Sequence, residues 1–391
     1  MDLKEKKIVF LLGLCSPYGG NIIPSLVCLA ELLRQNFQAK VFWVFPKQNK
    51  KDWLVNLEKE YPVYYTSCKR FDKKKEIISM FSKIQPDIAY SHFSTYNIAV
   101  VQAVGSLSLS TKVVWHIHSL YPLNTPGEKI SFFVKIRRIL SYIRYYRFYG
   151  KNVYLIAVSA EAAYYAEWFK KHWLGIPTNC TNEELNVMSF SNCKVLLNGI
   201  DTSRLNLELK KRNNDVFTFL SFGGIERIKK IELLVRAAVL LRQRILTPFK
   251  LLITEGIGTR EMLLKTCGEI PEWIELVKQT DNVSELYSRS SCYVSTSLRE
   301  TMSTSIAEAT FFDLPVIQSD ILGTYWNAQN PSVLLFRSGD IEDLTDKMEK
   351  IINLSNDKNW QSNIVETRQK NMTLLSLSHW REEVLKVLKG L

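Results

Sequence analysis

The sequence predicts an α/β fold of two doubly wound domains facing across a cleft. Three observations carry this. Short apolar runs alternate with stretches of helical spacing, the pattern of a parallel sheet covered on both faces. At 391 residues the chain exceeds what one core usually serves. The alternation is interrupted by a polar stretch near the middle, after which it resumes.

The elements follow in order. Ile8 to Leu12 is a continuous apolar run, closed by Ser16-Pro17-Tyr18-Gly19-Gly20 and followed by helical spacing from Ile23 to Leu33. Further strands are expected at 41–45, 87–90, 112–118, 153–158 and 194–197. Asn198-Gly199-Ile200-Asp201 breaks the pattern, and residues 209–215 read as the linker. Strands at 217–222, 249–253, 293–295, 315–318 and 333–336 then alternate with helices at 231–242, 283–290 and 341–352. The predicted domains are 1–200 and 201–372, with 373–391 an amphipathic segment crossing back to the first. In such sheets ligands sit beyond the carboxyl ends of the strands.

Composition narrows the class. A hydrophobic fraction of 46% with 23% charged residues belongs to a globular chain rather than a disordered one. The seven cysteines are scattered with no CxxC pair, which suits buried thiols in a reducing, cytoplasmic compartment. The five histidines are not spaced with cysteines as zinc ligands, so no metal is expected. Lys4 to Cys15 resembles a short signal peptide, but the basic stretch contains an acid and Leu14 is too large before a lipoprotein cysteine. No apolar run approaches the roughly 20 residues that span a bilayer. Residues 1–200 hold 26 Lys and Arg against 14 Asp and Glu, whereas 201–391 hold 25 of each. The excess charge lies wholly in the first half, which is expected to meet something anionic.

Chemistry concentrates near residue 300. Glu300 and Glu308 have seven residues between them, the first on a loop opening a helix and the second about two turns inside. Eight positions along a helix rise roughly 12 Å. Retaining glycosidases need carboxyl groups about 5–5.5 Å apart and inverting ones roughly 6.5–9.5 Å, so the pair fits neither. A solvated helix face is the plain alternative. A nucleotide sugar laid along a helix N-terminus is the other, with sugar and diphosphate at the free N–H groups and ribose further along.

The wider series decides between them. A Gly-Gly loop follows the first strand, and Pro86-Asp87, His116 and His118, Val158-Ser159, and Asn198 to Asp201 come next. Gly223 to Lys229, Glu300 to Glu308, Asp313 to Ile317 and Ser338 to Asp340 complete it. In this order the chain resembles glycosyltransferase family 4, retaining enzymes of the GT-B fold with two Rossmann-like domains, including bacterial surface-polysaccharide glycosyltransferases. The resemblance spans nearly the whole chain. It implies that Glu300 contacts the donor sugar, and that backbone N–H groups of Thr301, Met302, Ser303 and Thr304 hold sugar and phosphate oxygens. Glu308 would accept hydrogen bonds from ribose hydroxyls, and Lys229 would neutralise the diphosphate. Gly19, Gly20 and Gly223 would let backbone approach the donor, and His118 would face the reacting sugar and the acceptor. His116 points to the same side of its strand. Two positions depart from the family pattern: Gly224 stands where an arginine is usual, with Arg227 a possible substitute, and Ser119 replaces an aspartate. The resemblance also implies retention by front-face attack, the acceptor proton passing to the departing phosphate. No Asp-x-Asp motif is present, so metal-independent transfer is expected.

From Glu128 to Lys151 seven basic residues face one acid, with Tyr142, Tyr145, Tyr146, Phe148 and Tyr149 interleaved. On a helix, Phe132, Ile136, Ile139, Leu140, Ile143 and Tyr146 share a face, and Arg137, Arg138, Arg144 and Arg147 supply cations for an acceptor or an anionic membrane. A core helix with a solvated basic edge is the alternative. Nucleic acid is not expected, since no recognition module appears. Together these readings describe a glycosyltransferase using a nucleotide sugar, with UDP assumed as the carrier. Its acceptor would be a glycan or lipid-linked, at the inner face of the cell membrane. The alternative is a non-catalytic partner of the same fold, which Gly224 suggests.

Overall fold

The computed structural model describes residues 1–15, 19–48, 51–118, 131–134, 136, 140, 153–167, 181–190, 193–209, 216–280 and 282–391. The first lobe holds a parallel seven-stranded sheet of order β3-β2-β1-β4-β5-β6-β7. Its strands are β1 (Lys7–Leu12), β2 (Lys40–Pro46), β3 (Val63–Thr66), β4 (Ile88–His92), β5 (Lys112–Ile117), β6 (Val153–Ala157) and β7 (Cys193–Val195). The second lobe holds a parallel six-stranded sheet of order β10-β9-β8-β11-β12-β13. These strands are β8 (Phe217–Phe222), β9 (Phe249–Thr254), β10 (Ile274–Val277), β11 (Cys292–Ser295), β12 (Val316–Ser319) and β13 (Val333–Phe336).

The uninterrupted apolar runs follow from burial on both faces. Ile8, Phe10 and Leu12 enter one core with the helix Ile22–Phe37, while Val9 and Leu11 enter another on the opposite face. In the second lobe Phe219, Leu251 and Ile253 pack under the helix Ile231–Arg244, and Leu220 and Leu252 face the other way. That other core is continuous between lobes, joining Val9 and Leu11 to Met302, Ile306 and Tyr287.

The last helix, Leu377–Lys389, belongs to the first lobe's packing. Trp380, Val384 and Leu388 recur every fourth residue and are fully buried beside Leu26, Leu29 and Phe10. Burying each contributes roughly 1.5–3 kcal/mol. Ser376 caps this helix by accepting from the N–H of His379 at 3.1 Å. Gly199 lets the helix approach, because a Cβ there would stand 2.9 Å from Cβ of Trp380. Among the described residues no helix is long and apolar enough to cross a membrane.

Candidate functional site

The site is built where β8, β9 and β11 end. Gly223 follows β8 and donates its N–H to the carbonyl and hydroxyl of Thr254, at 3.1 and 2.9 Å. A Cβ at Gly223 would lie 2.1 Å from the Thr254 carbonyl oxygen, so only glycine fits. Beyond these strand ends opens a cleft of about 270 Å³ lined by Phe222, Gly223, Thr254, Gln279, Thr280, Val283 and Leu286.

Lys229 ends the single-turn helix Glu226–Lys229, and its Nζ lies 2.5 Å from Oε1 of Glu300. The same oxygen accepts from the Ser297 hydroxyl at 2.8 Å. The two loops are tied by backbone: Leu298 N–H donates to the Ile228 carbonyl, and the Thr296 hydroxyl donates to that of Lys229. Burial lowers the Lys229 pKa, but Glu300 and Tyr293 outweigh it and hold the amine above its ordinary value. Lys229 is therefore a fixed cation at neutral pH. A Cβ at Gly224 would stand 3.0 Å from Cγ and 3.2 Å from Cε of Lys229. The missing side chain leaves the lysine stem its path to Glu300. Arg227 is exposed on the same short helix.

After Glu300 come Thr301, partly exposed, and Met302, buried with its sulfur 3.1 Å from the backbone N of Asn198. Ser303 precedes the helix Thr304–Phe311, whose first N–H groups no side chain caps. Glu308 is the fifth residue of this helix, so it sits little more than one turn inside and not two. It is buried, paired with Arg204, and accepts from the Tyr287 hydroxyl at 3.1 Å. Arg204 also reaches Oδ1 of Asn21 at 3.3 Å, tying the second lobe to the turn that follows Gly19 and Gly20. Gly20 has φ of +53°, which favours glycine. Asn21, Arg204 and Tyr287 escaped the sequence reading. The only signal was Arg204 lying three residues after Asn198-Gly199-Ile200-Asp201.

A second bridge crosses between the lobes. Arg299, beside Glu300, holds Glu161 of the first lobe at 3.4 Å, and both side chains are buried. Burial pushes the Glu161 carboxyl up to about 7, against the opposing pull of Arg299.

On the first lobe His118 lies just past β5. It is brought together with His116 and with His92 at the end of β4, a residue the sequence did not single out. Nδ1 of His92 and Nε2 of His118 are 3.0 Å apart. Burial pulls all three pKa values down, His118 to about 3, so the rings are neutral. Ser119, Arg137, Arg138, Arg144, Arg147 and most of the linker 209–215 lie outside the described residues. Of the expected apolar face, Phe132, Ile136 and Leu140 are exposed, by 71%, 40% and 63%.

Residues 216–354 match the family model described as glycosyl transferases group 1. The match falls within the second lobe. The whole chain superposes on solved structures of GT-B glycosyltransferases, which establishes its fold. One is a glycosyltransferase from Rickettsia africae ESF-5, at 16% identity and a TM-score of 0.71, covering 99% of this chain and 98% of that one. Another is Anabaena HepE in complex with UDP, at 13% identity and a TM-score of 0.72, covering 98% and 100%. A third is WaaG, a glycosyltransferase involved in lipopolysaccharide biosynthesis, at 14% identity and a TM-score of 0.66, covering 98% and 100%. No curated protein matches the chain in sequence. In this GT-B glycosyltransferase fold Glu300, Lys229 and Glu308 all belong to the second lobe, and His118 to the first.

Proposed function

We propose that this protein is a retaining, metal-independent hexosyltransferase. It moves sugar from a UDP-sugar to a hydroxyl of a glycan or lipid-linked acceptor in cell-surface polysaccharide synthesis. The observation that carries this reading is the Lys229–Glu300 pair, with the lysine stem against Gly224, the residue after cleft-lining Gly223, and with an uncapped helix start four residues after Glu300. In the reaction Lys229 and the N–H groups at Thr304 neutralise charge building on the departing diphosphate. Glu300 holds the sugar, and Glu308 exchanges a present partner for ribose hydroxyls. The acceptor hydroxyl attacks from the face the diphosphate leaves and passes its proton to a phosphate oxygen, so no side-chain base is required. The cleft beside Gly223 is the one we assign to the nucleobase; Anabaena HepE, a structural neighbour, was solved with UDP.

The acceptor half of the proposal rests on the first lobe. Exposed Phe132, Phe133 and Leu140, set among the cations of residues 128–151, suit a helix lying in the membrane interface on the cytoplasmic side. Each cation near an anionic leaflet contributes about 1 kcal/mol. The protein is expected to bind anionic vesicles at low salt. Replacing Arg137, Arg138, Arg144 and Arg147 by glutamine is expected to weaken that binding on the order of a hundredfold or more. Wild-type protein that ignores such vesicles contradicts it.

Incubation of purified protein with UDP-hexoses tests the chemistry. Turnover of at least one donor is expected, with loss in Glu300→Ala on the order of a hundredfold or more. Turnover equal in wild type and variant removes Glu300 from the reaction, and no turnover of any donor favours the non-catalytic partner.

A further inference from the structure

The buried contact between Arg299 and Glu161 lies directly behind Glu300. Glu161 stands in the first turn of the helix Ala160–Glu167, just past β6 of the first lobe. Its Oε1 is 3.4 Å from Nε of Arg299, the residue before Glu300. Its Oε2 reaches a second point beside Glu300. A Cβ on Gly323 would stand 2.6 Å from that oxygen and 1.7 Å from the carbonyl oxygen of Glu300, so glycine backbone is held between the two. Gly323 belongs to the short helix Leu322–Asn327 of the second lobe, which the first lobe also grips. Leu322 is buried with Ala160, Tyr164 and Leu185, and the Asn182 amide donates to the Asp320 carboxylate at 3.0 Å. Glu161 thus meets Glu300 by two routes, the Arg299 side chain and the Gly323 backbone.

A buried ion pair does little to hold two lobes together. Desolvation offsets most of the attraction, and apolar side chains of similar volume often stabilise as well or better. Apolar packing is at hand, since Leu322 and Tyr164 lie in the same interface. What the pair adds is direction, because a guanidinium meets a carboxylate in few geometries. We propose that Glu161 is a positioning residue. From the first lobe it fixes Arg299 and the Glu300 carbonyl, and so sets where the Glu300 carboxylate stands beside Lys229 for the donor sugar. This deepens the transferase reading and rests on it for the sugar. Glu300 adds to the upward push on the Glu161 carboxyl, so the two carboxylates lie within electrostatic reach. A shift of about 1 Å in a group that orients a substrate costs on the order of a hundredfold in rate. The sugar is therefore held for transfer only when the lobes are docked through Glu161. UDP alone, with no sugar for Glu300 to hold, does not need this contact.

Amide exchange and kinetics on full-length protein test this in Glu161→Leu, which fills the space without an oxygen, and in Glu161→Gln, which keeps one for Arg299. In Glu161→Leu the amides of residues 297–303 should exchange about tenfold faster or more, while those of β8 and β9 keep their protection. For a UDP-hexose that wild type turns over, kcat should fall roughly ten- to a hundredfold. The KM for that donor and the affinity for UDP should change by less than about threefold. Glu161→Gln should return kcat to within about fivefold of wild type. Circular dichroism reports folding, and Glu161→Asp, one methylene shorter, carries the comparison if Glu161→Leu does not fold. Unchanged exchange of 297–303 in a folded variant overturns the proposal whatever the activity. So does an unchanged kcat, or a loss of kcat matched by an equal loss of UDP affinity. Absence of turnover by wild type with every donor removes the transfer reaction instead, and exchange alone then decides whether Glu161 positions the Glu300 loop.

Discussion

Glu300 and Glu308, the second lobe's two cleft carboxylates, are each paired, the first with Lys229 and the second with Arg204 beside the Tyr287 hydroxyl. At the strand ends of the first lobe stand three neutral imidazoles and a glycine turn, with the chain's excess positive charge elsewhere in that half. Both sheets are parallel and buried on both faces, so the difference is not one of scaffold. On the proposed function it is one of what each lobe would recognise. A diphosphate brings charge into a partly buried site, and charge there must meet groups already held in place. A hydroxyl acceptor is neutral, and rings and backbone suffice for it. The paired state before ligand arrives also keeps any cleft charge from being buried alone.

Glu308→Gln is expected to disturb this comparison most. It removes hydrogen bonds to a charged group, worth about 1.5–3 kcal/mol. The KM for the donor should rise roughly ten- to a hundredfold with a smaller change in kcat, because ribose binding persists into the transition state. An unchanged KM would mean that the Arg204 pair is only a bridge between segments.

Glu161 and Arg299 sharpen the comparison from the other side, since this buried pair crosses from first lobe to second. The folded Glu161 carboxyl titrates near 7 and its ordinary value is 4.5. Its contribution to stability is therefore complete below about pH 4.5 and is lost as pH rises toward and through 7. Relative to Glu161→Gln, wild type should lose on the order of 1–3 kcal/mol between pH 5 and 8, read from thermal or urea unfolding. Parallel profiles for the two proteins would show that the carboxyl is not held protonated.

How much of this the sequence disclosed depends on where the partners lie. Strands with both faces buried announce themselves as apolar runs, and β1, β2, β4 and β8 did so. The edge strands β3 and β10 did not, each having four residues and mixed exposure. The helix Lys358–Leu374 was also missed, because part of its buried face is polar. Thr367 bonds Ser332, and Asn371 bonds Thr310 and Asn327, so no apolar stripe marks it. Glu300, Glu308 and Lys229 could be singled out because each sits in a local motif, and their roles are part of the proposal. Arg204, Tyr287, Glu161 and His92 meet their partners from sequence positions that no spacing rule connects. The histidines show this most plainly, since strand pairing and not local spacing places residue 92 against 116.

In the proposed function Lys229 and the start of the Thr304 helix carry the diphosphate. Calorimetric affinities of UDP and uridine, in wild type and in Lys229→Met, test this most directly. Wild type should prefer UDP over uridine by at least about tenfold, and the variant should lose most of that preference while binding uridine as before. Equal binding of the two ligands by wild type, or a preference that Lys229→Met leaves intact, would contradict it.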